Sequence, residues 1–174
     1  MKHLFRSGAL FGVLLLAGCG FHPIYGERVG GEALPVVADL NNIAIENIPD
    51  RKGQILRNYL IDRLYRDNRP ELPRYILKIN IVSFEQDLGI LANATATRAL
   101  LDMRGTYTLE DRTTKKIVLS GQAHSVAGFD RLDQMYGTVA ARQDAQERTL
   151  REIGEQIVNR LSLYFSEEER ASKS

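Results

Sequence analysis

The sequence predicts an α+β domain in which two helices pack on one face of a four-stranded mixed sheet, in the order β-α-β-β-β-α, behind a cleaved leader. Three observations predict it. Several segments alternate apolar and polar residues with the period of two that separates the faces of a strand. Two segments repeat apolar residues three and four apart, the helical period. The first strand, first helix and second strand form a β-α-β unit, whose strands are ordinarily parallel and whose crossover is right-handed. The last three strands are closely connected and read as an antiparallel meander.

Ile43-Ala44-Ile45-Glu46-Asn47-Ile48 alternates as a half-buried strand and is stopped by Pro49-Asp50. Asp50 is placed to cap the helix that follows, whose apolar residues Ile55, Leu56, Tyr59, Leu60 and Leu64 lie on one side. That helix is expected to end near Asn68, ahead of Pro70 and Pro73, with Arg57, Asp62, Arg63 and Arg66 on its solvated face. From Arg74 the period returns to two, with Tyr75, Leu77, Ile79 and Ile81 on one face of a strand that reaches Phe84. Asp87 to Ala96, rich in small residues, reads as a flexible loop. A second long strand spans Thr97 to Glu110, where Ala99, Leu101, Met103, Tyr107 and Leu109 oppose Arg98, Asp102, Arg104 and Thr108. After a turn from Asp111 to Lys116, Ile117, Leu119, Gly121 and Ala123 alternate with Ser120, Gln122 and His124. Gly128 to Gly137 reads as a loop carrying Phe129 and Tyr136. The last helix runs from about Thr138 to Phe165 on Val139, Leu150, Ile153, Ile157, Leu161 and Tyr164, with a polar first half from Ala141 to Thr149. The charged stretch Ser166 to Ser174 is low in apolar content and is expected to be disordered.

The N-terminus follows another pattern. Lys2 and Arg6 precede an apolar run from Leu10 to Leu16, then Ala17-Gly18-Cys19. The run is shorter than the roughly 20 residues that a helix needs to cross about 30 Å of hydrocarbon, so it reads as a secretory signal. Leu16-Ala17-Gly18-Cys19 resembles a bacterial lipobox. That resemblance implies a diacylglycerol thioether on the Cys19 sulfur, cleavage before Cys19 and acylation of the new amine. Gly20, in place of an aspartate, leaves an outer-membrane destination as the default. The organisation is then a signal peptide over 1–18, a lipidated tether over 19–35, one domain over 36–165 and the tail over 166–174. In the tether, Phe21 and Tyr25 have two readings: rings lying at the bilayer interface, or a docking segment near the membrane.

Removing 18 of 174 residues leaves 156, enough for one domain with a real core. The leader takes two bases and no acid, so Lys+Arg falls from 23 to 21 against 22 Asp+Glu, a formal charge of −1. A nucleic-acid binder would carry a basic excess instead. The only cysteine is consumed by lipid, which excludes a disulfide or a Cys-based metal site. His22 and His124 have no metal-ligand spacing, no cofactor motif or nucleophile elbow is present, and Asp130 and Asp133 read as solvated loop acids. The sequence is therefore read as that of a binding protein without catalytic residues, metal or cofactor. Lys78, Arg98 and Arg104 on the exposed sheet face are candidates for gripping phosphate or carboxylate, with pairing across strands as the plainer reading.

Two segments then carry a family resemblance across essentially the whole chain. Cys19-Gly20-Phe21-His22-Pro23-Ile24-Tyr25-Gly26 and Ala141-Arg142-Gln143-Asp144-Ala145, in this order of elements, resemble the LPS-assembly lipoprotein family LptE in its alphaproteobacterial form. The resemblance implies a non-enzymatic outer-membrane lipoprotein that plugs and helps assemble the LptD β-barrel. The two would form the translocon that inserts lipopolysaccharide into the outer leaflet, with the lipoprotein anchored on the periplasmic side and standing in the barrel lumen. It also implies lipopolysaccharide contacts from bases near the sheet-end loop and at the start of the last helix. Arg142 is the nearest match, because the sheet-end loop offers Leu91-Ala92-Asn93 and no base. The alternatives are a free periplasm-facing lipoprotein that binds an anionic glycan or lipid, and a lipid-anchored hydrolase.

Overall fold

The structure, a computed structural model, describes residues 39–65, 69–90, 96–131 and 135–173. The expected signal peptide, Cys19 and the tether lie outside them, as do Leu91-Ala92-Asn93 and Asp133. After a helical turn over 39–41 come β1 (Ile43–Ile45), α1 (Asp50–Leu64), β2 (Tyr75–Ile90), β3 (Ala96–Asp111), β4 (Ile117–Asp130) and α2 (Met135–Ser172). The sheet order is β1-β2-β3-β4, with β1 parallel to β2 and the other neighbours antiparallel. The predicted α+β architecture is thus the observed one. Both helices cover the same face.

The core consists of the residues that the two periods select. Tyr75, Leu77 and Ile79 on β2 and Ala99, Leu101, Met103, Tyr107 and Leu109 on β3 are buried against Leu56, Leu60 and Leu64 of α1 and Leu150, Ile153, Ile157 and Leu161 of α2. Burying each such aliphatic side chain is worth about 1.5–3 kcal/mol in transfer terms. The polar Thr149 enters this core because its hydroxyl bonds back to the carbonyls of Ala145 (3.0 Å) and Gln146 (2.9 Å).

Several boundaries differ from the sequence reading. β1 ends at Ile45, although Glu46 N–H still donates to the Leu77 carbonyl (2.9 Å). Ile48 is nevertheless buried, pressed so close to Gly53 that a Cβ on the glycine would sit 2.5 Å from the Ile48 carbonyl oxygen. Asp50 does not cap α1. It is the first helical residue, with φ 69°, and no side-chain bond closes that end; its carboxylate complements the positive end of the helix dipole as a charge alone. α1 ends at Leu64 because Tyr65 turns to an extended backbone and donates its hydroxyl to the Ile43 carbonyl (2.6 Å).

The larger corrections are at the far end of the sheet. Asp87 to Ala96 is not a loop throughout: β2 continues to Ile90 and β3 starts at Ala96, with Asp87 opposite Ala99 and Leu88 opposite Arg98. β4 likewise continues through Gly128 to Asp130, where Phe129 is a buried strand residue opposite Ala99. Cross-strand partners decide these residues, and weak local propensity gives way to them. α2 extends to Ser172, so the segment expected to be a disordered tail is helical over 166–172. At the opposite end Asp111 holds the β3–β4 turn, its Oδ1 accepting from the N–H groups of Thr113 (2.7 Å) and Thr114 (2.9 Å). These backbone bonds, led by that of Thr114, keep the Asp111 carboxyl below the usual range despite its desolvation. Lys115 then takes φ 58° to close the turn.

Candidate functional site

The register places even-numbered residues of β2, β3 and β4 on the face the helices leave bare. That face is divided lengthwise. Near β1, Lys78, Asn80, Thr106, Thr108, Ser120 and Gln122 line an open depression of about 510 Å³. Farther along, one cross-strand row runs Val82, Arg104, His124 and the next runs Phe84, Asp102, Val126. Phe84 is 61% exposed and Val126 45%.

Every cation singled out from the sequence has an acidic partner. Lys78 Nζ is 2.7 Å from Glu110 Oε2. Their hydrogen bond raises the lysine pKa and lowers that of the glutamate. Arg104 Nε lies 3.5 Å from Asp102 Oδ1, which also meets His124 Nε2 at 3.0 Å. Desolvation raises the Asp102 pKa, but the His124 bond and Arg104 outweigh it, and the carboxyl is held below its ordinary range. Arg98 Nε is 3.7 Å from Asp130 Oδ1. Pairs this exposed add little to stability. Their chemical effect is on binding: a phosphate must displace a carboxylate to reach the base.

These three cations do not converge. Lys78 and Arg98, which pairs with Leu88, are ten residues apart along β2, about 33 Å at strand rise. Arg142 belongs to the other side of the sheet altogether. It reaches from the second turn of α2 to Glu85 (Nη2 to Oε2 2.8 Å), with its guanidinium carbon 5.8 Å from the Phe129 ring centroid. Arg131 joins it, 2.9 Å from Asp87 Oδ1 and 3.8 Å from Glu85 Oε2. The structure therefore assembles a pair of arginines and a pair of acids where strand tips meet the start of α2. The sequence reading missed Arg131 and the two acids because it placed Asp87 and Arg131 in loops and left Glu85 unremarked. The available signal was that Glu85 and Asp87 keep the odd-numbered phase of Tyr75, Leu77 and Ile79. Beside this cluster, Met135, Tyr136, Val139, Ala140 and Gln143 line a second depression of about 410 Å³, with Tyr136 92% exposed.

His124 is an exposed strand residue, and Asp130, expected in a loop, lies on β4. Among the described residues no group of His, Cys, Asp or Glu is arranged to hold a metal ion, and no helix is long and apolar enough to cross a membrane.

Comparison with known proteins agrees with the architecture. The sequence model of one family, LptE (lipopolysaccharide-assembly), matches residues 40–161. A lipoprotein of Caulobacter crescentus CB15, known from a crystal structure at 2.40 Å, is 25% identical, with TM-score 0.62 over 75% of this chain and 96% of that one. Lipoprotein B of Nitrosomonas europaea shares the fold at 16% identity, with TM-score 0.53 over 81% of this chain and 93% of that one. A search of curated proteins finds no match.

Proposed function

The chain belongs to the LptE lipopolysaccharide-assembly family, and from that premise we propose that it is a lipid-anchored plug and assembly partner of the LptD β-barrel in the outer membrane. The observation that carries the reading is the family match, which runs from the residues before β1 to Leu161 in α2 and so spans the whole sheet and most of both helices. The surface chemistry supports it. A wide barrel has a polar, wet interior, and a plug that stands in it needs outward charges that are already neutralised. The pairs Lys78–Glu110, Arg104–Asp102 and Arg98–Asp130 meet that requirement on the bare sheet face. Cys19 supplies the anchor. Several acyl chains at about 0.8 kcal/mol per buried CH₂ hold a protein stably at a membrane.

Affinity purification of the lipidated chain tests the proposal directly: stoichiometric recovery of a large heat-modifiable outer-membrane barrel is expected, and a consistently monomeric species in gentle detergent would sink the plug. Lipopolysaccharide contact is assigned first to Arg142, with Arg98, Arg104 and Lys78 as weaker candidates. Arg142→Ala is expected to weaken lipopolysaccharide binding several-fold while the unfolding midpoint stays within that of an ordinary surface substitution. Unchanged binding would remove Arg142 from the site.

A further inference from the structure

β4 is an outer strand of the sheet and 14 residues long. Such a strand offers its outward N–H and C=O groups to any strand that arrives, and proteins usually protect it with charges, prolines or a covering element. From Ile117 to Phe129 β4 contains no Asp, Glu, Lys, Arg or Pro. Its protection comes from α2. Arg148 Nη2 donates to the Gly128 carbonyl (3.3 Å), and Gln156 bonds His124 twice, Nε2 donating to its carbonyl (2.9 Å) and Oε1 accepting its N–H (3.1 Å). Between them Glu152 accepts the hydroxyl of the buried Ser125 (2.7 Å). Eight helical residues advance about 12 Å and four strand residues about 13 Å, so a row spaced by four on α2 keeps step with alternate residues on β4.

The geometry points to an edge guard: we propose that Arg148 and Gln156 occupy the outward backbone of β4 so that a second copy of this chain cannot add to the sheet there. The Gln156 amide presents one donor and one acceptor, as the N–H and C=O of one residue on an antiparallel neighbouring strand would, and it fills both bonds at His124. A second copy is the occupant it excludes because an uncharged edge is self-complementary. In an antiparallel β4–β4 pair centred on His124, Gln122 meets Val126 and Ser120 meets Gly128, and no formally charged pair opposes it.

The test is the mass of the full-length chain, produced without any outer-membrane barrel so that the plug complex cannot form, measured in detergent by light scattering across a hundredfold concentration range. The unaltered chain is expected to stay monomeric. Arg148→Ala combined with Gln156→Ser should dimerise with at least a tenfold lower dissociation constant, and adding His124→Lys, which sets like charges face to face, should return it to monomer. Gln156→Asn, one methylene too short to reach, gives the same readout with less disturbance should the double variant fail to fold. A folded but monomeric Gln156→Asn overturns the proposal, as does a dimer that survives His124→Lys or a dimer of the unaltered chain joined through β4.

Discussion

Phe165→Ala is expected to lower the unfolding free energy by about 3–5 kcal/mol, the usual result of emptying a buried aromatic site. Phe165 is 1% exposed and stands edge-on to Tyr75, with ring centroids 5.2 Å apart, and to Tyr164 at 5.1 Å. Such aromatic pairs add about 0.5–1.5 kcal/mol beyond their buried area. The location enlarges the effect. Tyr75 begins β2, where it pairs with Ile43 of β1 on one side and Asp111 of β3 on the other. Phe165 therefore holds the C-terminal part of α2 against the point where three strands meet. For a domain stable by about 5–15 kcal/mol the loss is a large fraction of the total. Urea titration should show a lower midpoint with an unchanged slope. A loss below about 1 kcal/mol would mean that the last turns of α2 are not anchored there.

The same helix end marks the limit of what periodicity reveals. Up to Phe165 the apolar spacing defines α2, and of the residues it selects Leu150, Ile153, Ile157 and Leu161 are buried and Tyr164 half-buried, whereas Val139, in the polar first half, is 45% exposed. Beyond it there are no buried positions to keep the count. The helix persists to Ser172 on local pairs such as Tyr164 hydroxyl to Glu168 (2.7 Å), an i,i+4 contact of modest energy. Burial raises the Asp39 pKa, and Glu168 and Glu169 act on it in the same direction, so this helix end lies near the start of the described domain. At the other end of the sheet, small residues and glycine made two strand tips resemble loops. Ala99 and Phe129 pack there across strands, and that information is not local. The candidate site follows the same division. The bases were legible as residues, but their neutralisation depends on strand register, which sets Arg98 beside Asp130 and Lys78 beside Glu110. Glu85 and Arg142 are brought together only by laying α2 across the sheet.

Gly154 shows how a residue unfavourable to a helix is required by the neighbour it admits. Glycine inside a helix costs about 1 kcal/mol relative to alanine. Here the ring of Tyr59 from α1 lies on it: a Cβ would fall 2.7 Å from Tyr59 Cε1, closer still to Cδ1, and 3.3 Å from Leu56 Cδ1. The ring has little freedom to withdraw. Its hydroxyl donates to Glu155 and accepts from Arg63 Nε (3.0 Å), Arg63 also pairs with Glu155, and its guanidinium carbon is 5.6 Å from the ring centroid. Gly154→Val is therefore expected to destabilise the domain by about 1–3 kcal/mol through overpacking. In a Tyr59→Ser background the valine enters vacated space, and its cost should fall by about 0.5–3 kcal/mol, the range for residues in direct contact. Additive losses would show that the ring is not what excludes a side chain at position 154. The interlock also has an acid signature. The Tyr59 hydroxyl, more than the opposing desolvation, holds the Glu155 carboxyl below its ordinary value, with Arg63 assisting. A lowered carboxyl pKa stabilises the fold above the unfolded value and loses that contribution as pH falls through the folded one. Removing the Tyr59 hydroxyl with Tyr59→Phe should thus cost stability at neutral pH, and the difference from the unaltered chain should shrink below about pH 4.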